Sequence, residues 1–243
     1  MGDTVQFIRY AAVLKEKYDC QVIVACQKAL LPLFKSCQGI DLLTTQDDDP
    51  PTFDVFAPLL DLPELLGHDL DSFPTDTPYL FADPVLVEQW GQALDAYGGF
   101  KVGIAWQGNS KNPSDRMRSI PIAEFAPLGK LKGIQFFNLQ KGVGVEQLNS
   151  LAAHLDVVQL GDCLDESNGA FMDTAAILKN LELLITSDTA IAHVAGALGV
   201  RVWTGLAYVP DWRWLLERED TPWYPTMRLF RQTSVGNWPS VFE

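Results

Sequence analysis

At 243 residues, 47% hydrophobic and 20% charged, the chain has the composition of one large or two modest globular domains, and it lacks the roughly 20-residue apolar run of a membrane helix. Its net charge of −13 argues against nucleic-acid partners and anionic lipid; residues 1–95 carry 5 Lys and Arg against 16 Asp and Glu, while residues 96–243 carry 13 against 15. The opening Met1-Gly-Asp-Thr4 has neither a basic nor an apolar secretory region, so a cytoplasmic location is expected.

Apolar residues at 5, 7, 8, 11, 13 and 14 predict one helix face from Val5 to Leu14. Gln21–Cys26 reads as a buried strand, Ala29–Phe34 as a helix, and Ile40–Thr44 and Phe53–Phe56 as strands. Pro58, Pro63, Pro74 and Pro78 then break the pattern. Asp83-Pro84 opens a helix that runs to Tyr97, and Gly98-Gly99 marks a boundary between domains 1–97 and 98–243.

The second half alternates regularly. Strands are predicted at 100–106, 134–139, 157–160, 183–186 and 200–203, with helices within 120–128, 145–155, 171–180 and 189–198. Five strands separated by helices predict an α/β fold with a parallel sheet, whose ligands sit beyond the carboxyl ends of the strands. The loop Asp47–Pro51 reads as solvated. Cys20, Cys26, Cys37 and Cys163 read as reduced, mostly buried thiols. His68, His154 and His193 have no ligand spacing to them, so no metal site is expected.

Three polar loops fall at strand ends of this sheet. Ser187-Asp188-Thr189-Ala190 opens a helix, and Asp188 can cap it. The amides of Thr189 and Ala190 at the positive end of the helix dipole suit a diphosphate, with His193 one turn on. The alternative is an ordinary capped helix with a packed histidine. The loop Gln107–Ser119 contains Gly108 and Asn109 and gathers Lys111, Arg116 and Arg118, which can hold a phosphate or simply be solvated. Gln140-Lys141-Gly142 lies at a third strand end. Asp3 is either a helix cap or a carboxylate at a cleft, available as a general base.

Together these pieces resemble the heptosyltransferase-like glycosyltransferases of family 9, most closely the bacterial branch that follows tetratricopeptide repeats. The resemblance spans nearly the whole chain. It rests on Gly2–Tyr10, Val102–Asn109, Asp115–Pro121, Leu139–Gly142, Asp188–His193, Pro210–Leu215 and Thr221–Pro225. It implies a GT-B architecture of two Rossmann-like domains, a nucleotide-diphosphate sugar donor and no metal or other cofactor. It carries the catalytic base onto Asp3. It places the donor on Gly108, Asn109, Arg116, Arg118, Gln140, Lys141, Asp188, Thr189, Ala190 and His193. Ala190 stands where the family's string usually has Gly.

Family members have a strand and a Gly-rich turn ahead of Gly-Asp-Thr. An incomplete first sheet is therefore expected, weaker than the second and open to self-association along its edge. The acceptor class stays open among glycan, lipid-linked glycan and protein. A binding module without turnover and a sugar-nucleotide epimerase are the alternatives, and no convincing carboxylate set supports the epimerase.

Overall fold

The computed structural model describes residues 1–49, 51–161 and 164–243. Cys163, and Pro50 of the acidic loop, lie outside the described residues. The predicted first helix is two: α1 (Gly2–Phe7) and α2 (Tyr10–Tyr18). Arg9 divides them. Its Nε donates to the Gln6 carbonyl at 2.9 Å, the oxygen that the Tyr10 amide would take in a continuous helix. Its other nitrogens reach the carbonyls of Pro74 and Trp223 and the hydroxyl of Tyr79, each at 3.0 Å.

The first sheet has two parallel strands, β1 (Ile23–Cys26) and β2 (Leu42–Thr45), joined through α3 (Leu31–Phe34). The strand expected at 53–56 does not form. Phe53, Val55 and Phe56 are 51%, 87% and 82% exposed, and the Phe rings pack edge to face on each other instead. Alternation alone does not make a strand where no neighbour takes up its backbone groups. Among the described cysteines Cys26 and Cys37 are buried and Cys20 is exposed. Short α4 (Leu62–Leu65) leads to α5 (Pro84–Leu94), where the Asp83 carboxylate accepts the amides of Val85 and Leu86.

The second sheet has six strands: β3 (Phe100–Ala105), β4 (Ile134–Asn138), β5 (Val157–Gln159), β6 (Leu183–Ser187), β7 (Val202–Leu206) and β8 (Met227–Arg231). All pair in parallel in the order β5-β4-β3-β6-β7-β8. Five of these match the strands expected from the sequence; β8 is additional. Helices α6 (Asp115–Arg118), α7 (Leu148–Leu151), α8 (Met172–Lys179) and α9 (Ala190–Ala197) make the crossovers with 3-10 turns such as Ile122–Lys130.

One hydrophobic core joins the two halves of the chain. Val5, Phe7 and Ile8 of the α1 segment share it with Ile191, Ala192, Val194 and Ala195 of α9 and with Trp214, Trp223 and Tyr224. Small residues on α9 make the close approach possible. A Cβ added at Gly2 would come 3.1 Å from His193 Cδ2 and 3.6 Å from Ala190 Cα.

Candidate functional site

Strand order reverses between β3 and β6, so the chain leaves these adjacent strands in opposite directions and opens a crevice at their carboxyl ends. From β3, the amides of Trp106 and Gln107 donate to Gln140 Oε1 at 3.0 and 2.9 Å, and Gln140 Nε2 donates to the Val143 carbonyl at 3.1 Å. The buried Gln140 side chain thus staples the loop after β3 to the loop after β4.

Two Asx turns guide the loop back toward the crevice. Asn109 Oδ1 accepts the Lys111 amide at 3.0 Å, and Asn112 Oδ1 accepts the Ser114 amide at 2.9 Å. The loop then turns into α6, which brings Asp115 and Arg118 against Gly108. A Cβ at Gly108 would sit 2.9 Å from Arg118 Nη2, 2.9 Å from Asp115 Oδ1 and 3.1 Å from Thr189 Cγ2. Gly108, Arg118 and Thr189 therefore meet at one point.

Arg118 is only loosely paired there. Its Nε is 3.7 Å from Asp115 Oδ1, and among the described residues both atoms are buried without a hydrogen-bond partner. An unmet donor such as Arg118 Nε is unusual in a folded protein and suits an anion; the unmet Asp115 oxygen is an acceptor and does not. Asn109, Lys111 and Arg116 are exposed on the same loop. Lys141 donates to the Leu164 carbonyl and approaches Glu166 at 3.9 Å.

At the end of β6, Thr189 rather than Asp188 is the N-cap of α9, and no side chain caps the helix. Asp188 lies instead among charges: burial raises its carboxyl above the usual range, while Trp214, Arg213 and Arg118 act against that rise. Buried His193 receives or donates a 2.9 Å hydrogen bond between Nδ1 and the Tyr224 hydroxyl and stacks on Trp214 at 5.5 Å. Burial lowers its pKa well below 6.5, with Arg213, Arg9 and Arg118 adding to the effect, so it is neutral at pH 7.

Asp3 lies within the first turn of α1, and its Oδ1 accepts Arg213 Nη2 at 2.7 Å. Arg213 also donates from Nη1 to Gln6 Oε1 at 2.7 Å and from Nε to Asp211 Oδ1 at 2.8 Å. The sequence resemblance includes Pro210–Leu215 but assigns Arg213 no role. The usable signal was Asp211-Trp-Arg213, an Asx-type turn that fixes an arginine: Asp211 Oδ1 accepts the Arg213 amide at 3.2 Å.

No family model matches the chain. The Caulobacter vibrioides protein named FlbA is 29% identical over 194 residues, covering 76% of this chain and 31% of that protein; the chain thus spans about a third of the length of this curated relative. Among solved structures, a family 9 glycosyltransferase from Veillonella parvula superposes with a TM-score of 0.69 at 13% identity, covering 99% of this chain and 90% of the other. The chain has a GT-B-like α/β fold. The ADP-heptose lps heptosyltransferase II of E. coli has a TM-score of 0.62 at 14% identity, covering 97% of this chain and 88% of the other. E. coli heptosyltransferase WaaC with ADP has a TM-score of 0.55 at 10% identity, covering 95% and 88%. These likenesses concern the fold.

Proposed function

We propose that the chain is a heptosyltransferase-like glycosyltransferase that takes its sugar from a nucleotide-diphosphate sugar. The convergence of Gly108, Arg118 and Thr189 at the switch point of the second sheet carries this reading. The first-turn amides of α9, the Arg118 guanidinium and the close backbone approach at Gly108 suit a diphosphate between them. Neutral His193 adds no charge beneath it.

Asp3 is carried on α1, which packs on α9 with Gly2 against Ala190 and His193, and we assign it the role of general base. An acceptor hydroxyl gives its proton to Asp3 while its oxygen bonds to the anomeric carbon. The bond from that carbon to the phosphate oxygen breaks, and its electron pair leaves with the nucleoside diphosphate. Arg118 and the α9 amides stabilise the charge that grows on the leaving group. ADP-heptose appears as the donor in the name of the E. coli neighbour, and ADP is bound in WaaC, so ADP-linked sugars are the first donors to try. The acceptor is open, and within the described residues no helix is long and apolar enough to cross a membrane.

Calorimetry with ADP, UDP and GDP, followed by a transfer assay with the corresponding sugars, tests the reading. One nucleoside diphosphate should bind and its sugar should turn over. In Arg118→Ala that diphosphate should lose about 1.5–3 kcal/mol of binding, the worth of a charge-assisted hydrogen bond, while the plain nucleoside loses far less. No binding by any diphosphate, or equal losses for diphosphate and nucleoside, would remove the donor site from this crevice.

A further inference from the structure

We propose that Arg213 is the positioning residue for Asp3, and that it holds the general base without itself binding the donor phosphate. The inference rests on the transferase reading above and divides the labour of its two arginines.

Arg213 is committed on all sides. Its side chain is 9% exposed, and each guanidinium nitrogen has its own acceptor: Asp211 Oδ1 at Nε (2.8 Å), Gln6 Oε1 at Nη1 (2.7 Å) and Asp3 Oδ1 at Nη2 (2.7 Å). The backbone fixes it as well, since the Arg213 carbonyl accepts Trp223 Nε1 at 2.8 Å. Arg118 is the opposite case, with a buried Nε left without a partner among the described residues. An anion is drawn to unmet donors. To bind Arg213 it would have to displace a carboxylate already at 2.7–2.8 Å.

The same contacts orient Asp3. Its side chain is 51% exposed and is held through Oδ1, while Oδ2 carries no hydrogen bond among the described residues. A general base gains from being aimed by a third group, and here Gln6 and Asp211 aim the arginine that aims Asp3. Lysine could keep the charge but could not serve three acceptors in a planar fork.

The test takes whichever nucleotide sugar the wild-type chain turns over, and measures kcat, donor KM and affinity for the matching nucleoside diphosphate. Arg213→Lys should lower kcat by about tenfold or more, with diphosphate affinity held within about twofold, the pattern of a lost transition-state interaction. In an Asp3→Asn background the same substitution should have no further effect on the residual rate, because Arg213 acts through Asp3. Asp211→Asn, milder for the fold, should lower kcat severalfold in the same way. Diphosphate affinity that falls together with kcat, or equal kcat losses in both backgrounds, would overturn the inference. So would an unchanged kcat in Arg213→Lys beside an active wild type, with the transferase reading left standing. A wild-type chain that binds the diphosphate but transfers no sugar overturns the transferase reading, and the inference with it.

Discussion

Gly108 and Thr189 touch across the crevice between β3 and β6, with 3.1 Å separating the position of a Gly108 Cβ from Thr189 Cγ2. That contact leaves room for the Arg118 guanidinium on one side and nothing larger than hydrogen at Gly108. Gly108→Ala should therefore push Arg118 Nη2 and Asp115 Oδ1 off their 2.9 Å approach and leave the fold intact, because both atoms are side-chain ends. Nucleoside-diphosphate affinity should fall by about tenfold, or 1.4 kcal/mol. The check is calorimetry beside a melting curve. An unchanged affinity would mean that the phosphates do not lie at this point.

Gly196 does a different task on α9. A Cβ there would stand 2.4 Å from Tyr224 Cδ1 and 2.5 Å from Cγ, against a ring that is fully buried. The ring holds His193 through its hydroxyl and cannot retreat through the packed core. Gly196→Ala is expected to cost about 1–3 kcal/mol as overpacking, despite alanine's better helix propensity. At about 2–4 °C per kcal/mol for a chain of this size, the midpoint should fall by several degrees. A midpoint equal to or above that of the wild type would show that the ring gives way.

The parallel sheet was legible because its strands are continuous apolar runs between helical patterns, as at Leu183–Thr186. β8 was not, although Met227 and Leu229 point inward and Arg228 outward. Two arginines in five residues, following a Trp- and Pro-rich loop, hide a strand whose burial is supplied by its neighbour β7. Phe53–Phe56 failed in the opposite sense: it has the residues of a strand and no partner. Asp188 has the sequence of a cap, yet Arg118 and Arg213 act on it from distant loops, and no local pattern reports a charge 25 or 70 positions away. The Asp3–Arg213 pair was hidden for the same reason.

His193 makes acid stability a readout of the site. Its folded pKa lies well below the unfolded value of about 6.5, so the unfolded chain binds a proton that the native state refuses. Stability therefore falls as pH drops below about 6.5, by up to about 1.4 kcal/mol per pH unit until the folded pKa is reached. Asp188, raised by burial, works in the other direction as pH falls toward its own folded pKa. His193→Gln keeps Asp188 and removes the imidazole. Its denaturant-derived stability should decline less steeply between pH 7 and pH 5 than that of the wild type. Parallel declines would show that His193 takes up its proton in the native state.

The last expectation concerns which parts of the chain open together. Among the described residues β1 pairs only with β2, and a two-stranded sheet of four-residue strands leaves an edge on each side. β3 and β6 are flanked on both sides in a six-stranded sheet. Two-stranded units are marginal alone, so amides in 23–26 and 42–45 should exchange at a lower opening free energy than those in 100–105 and 183–187. α1 is contiguous in sequence with the weaker sheet but packs on α9, and its Asp3 and Gln6 are held by Arg213. Its amides should therefore share the protection of α9 rather than that of β1. Native-state hydrogen exchange in a demonstrated monomer decides this. If α1 opens with β1 and β2, the Asp3–Arg213 contact is lost in every such opening, and a base supplied from α1 becomes untenable. If α1 stays closed while β1 and β2 exchange, Asp3 keeps its Arg213 contact whatever the first sheet does.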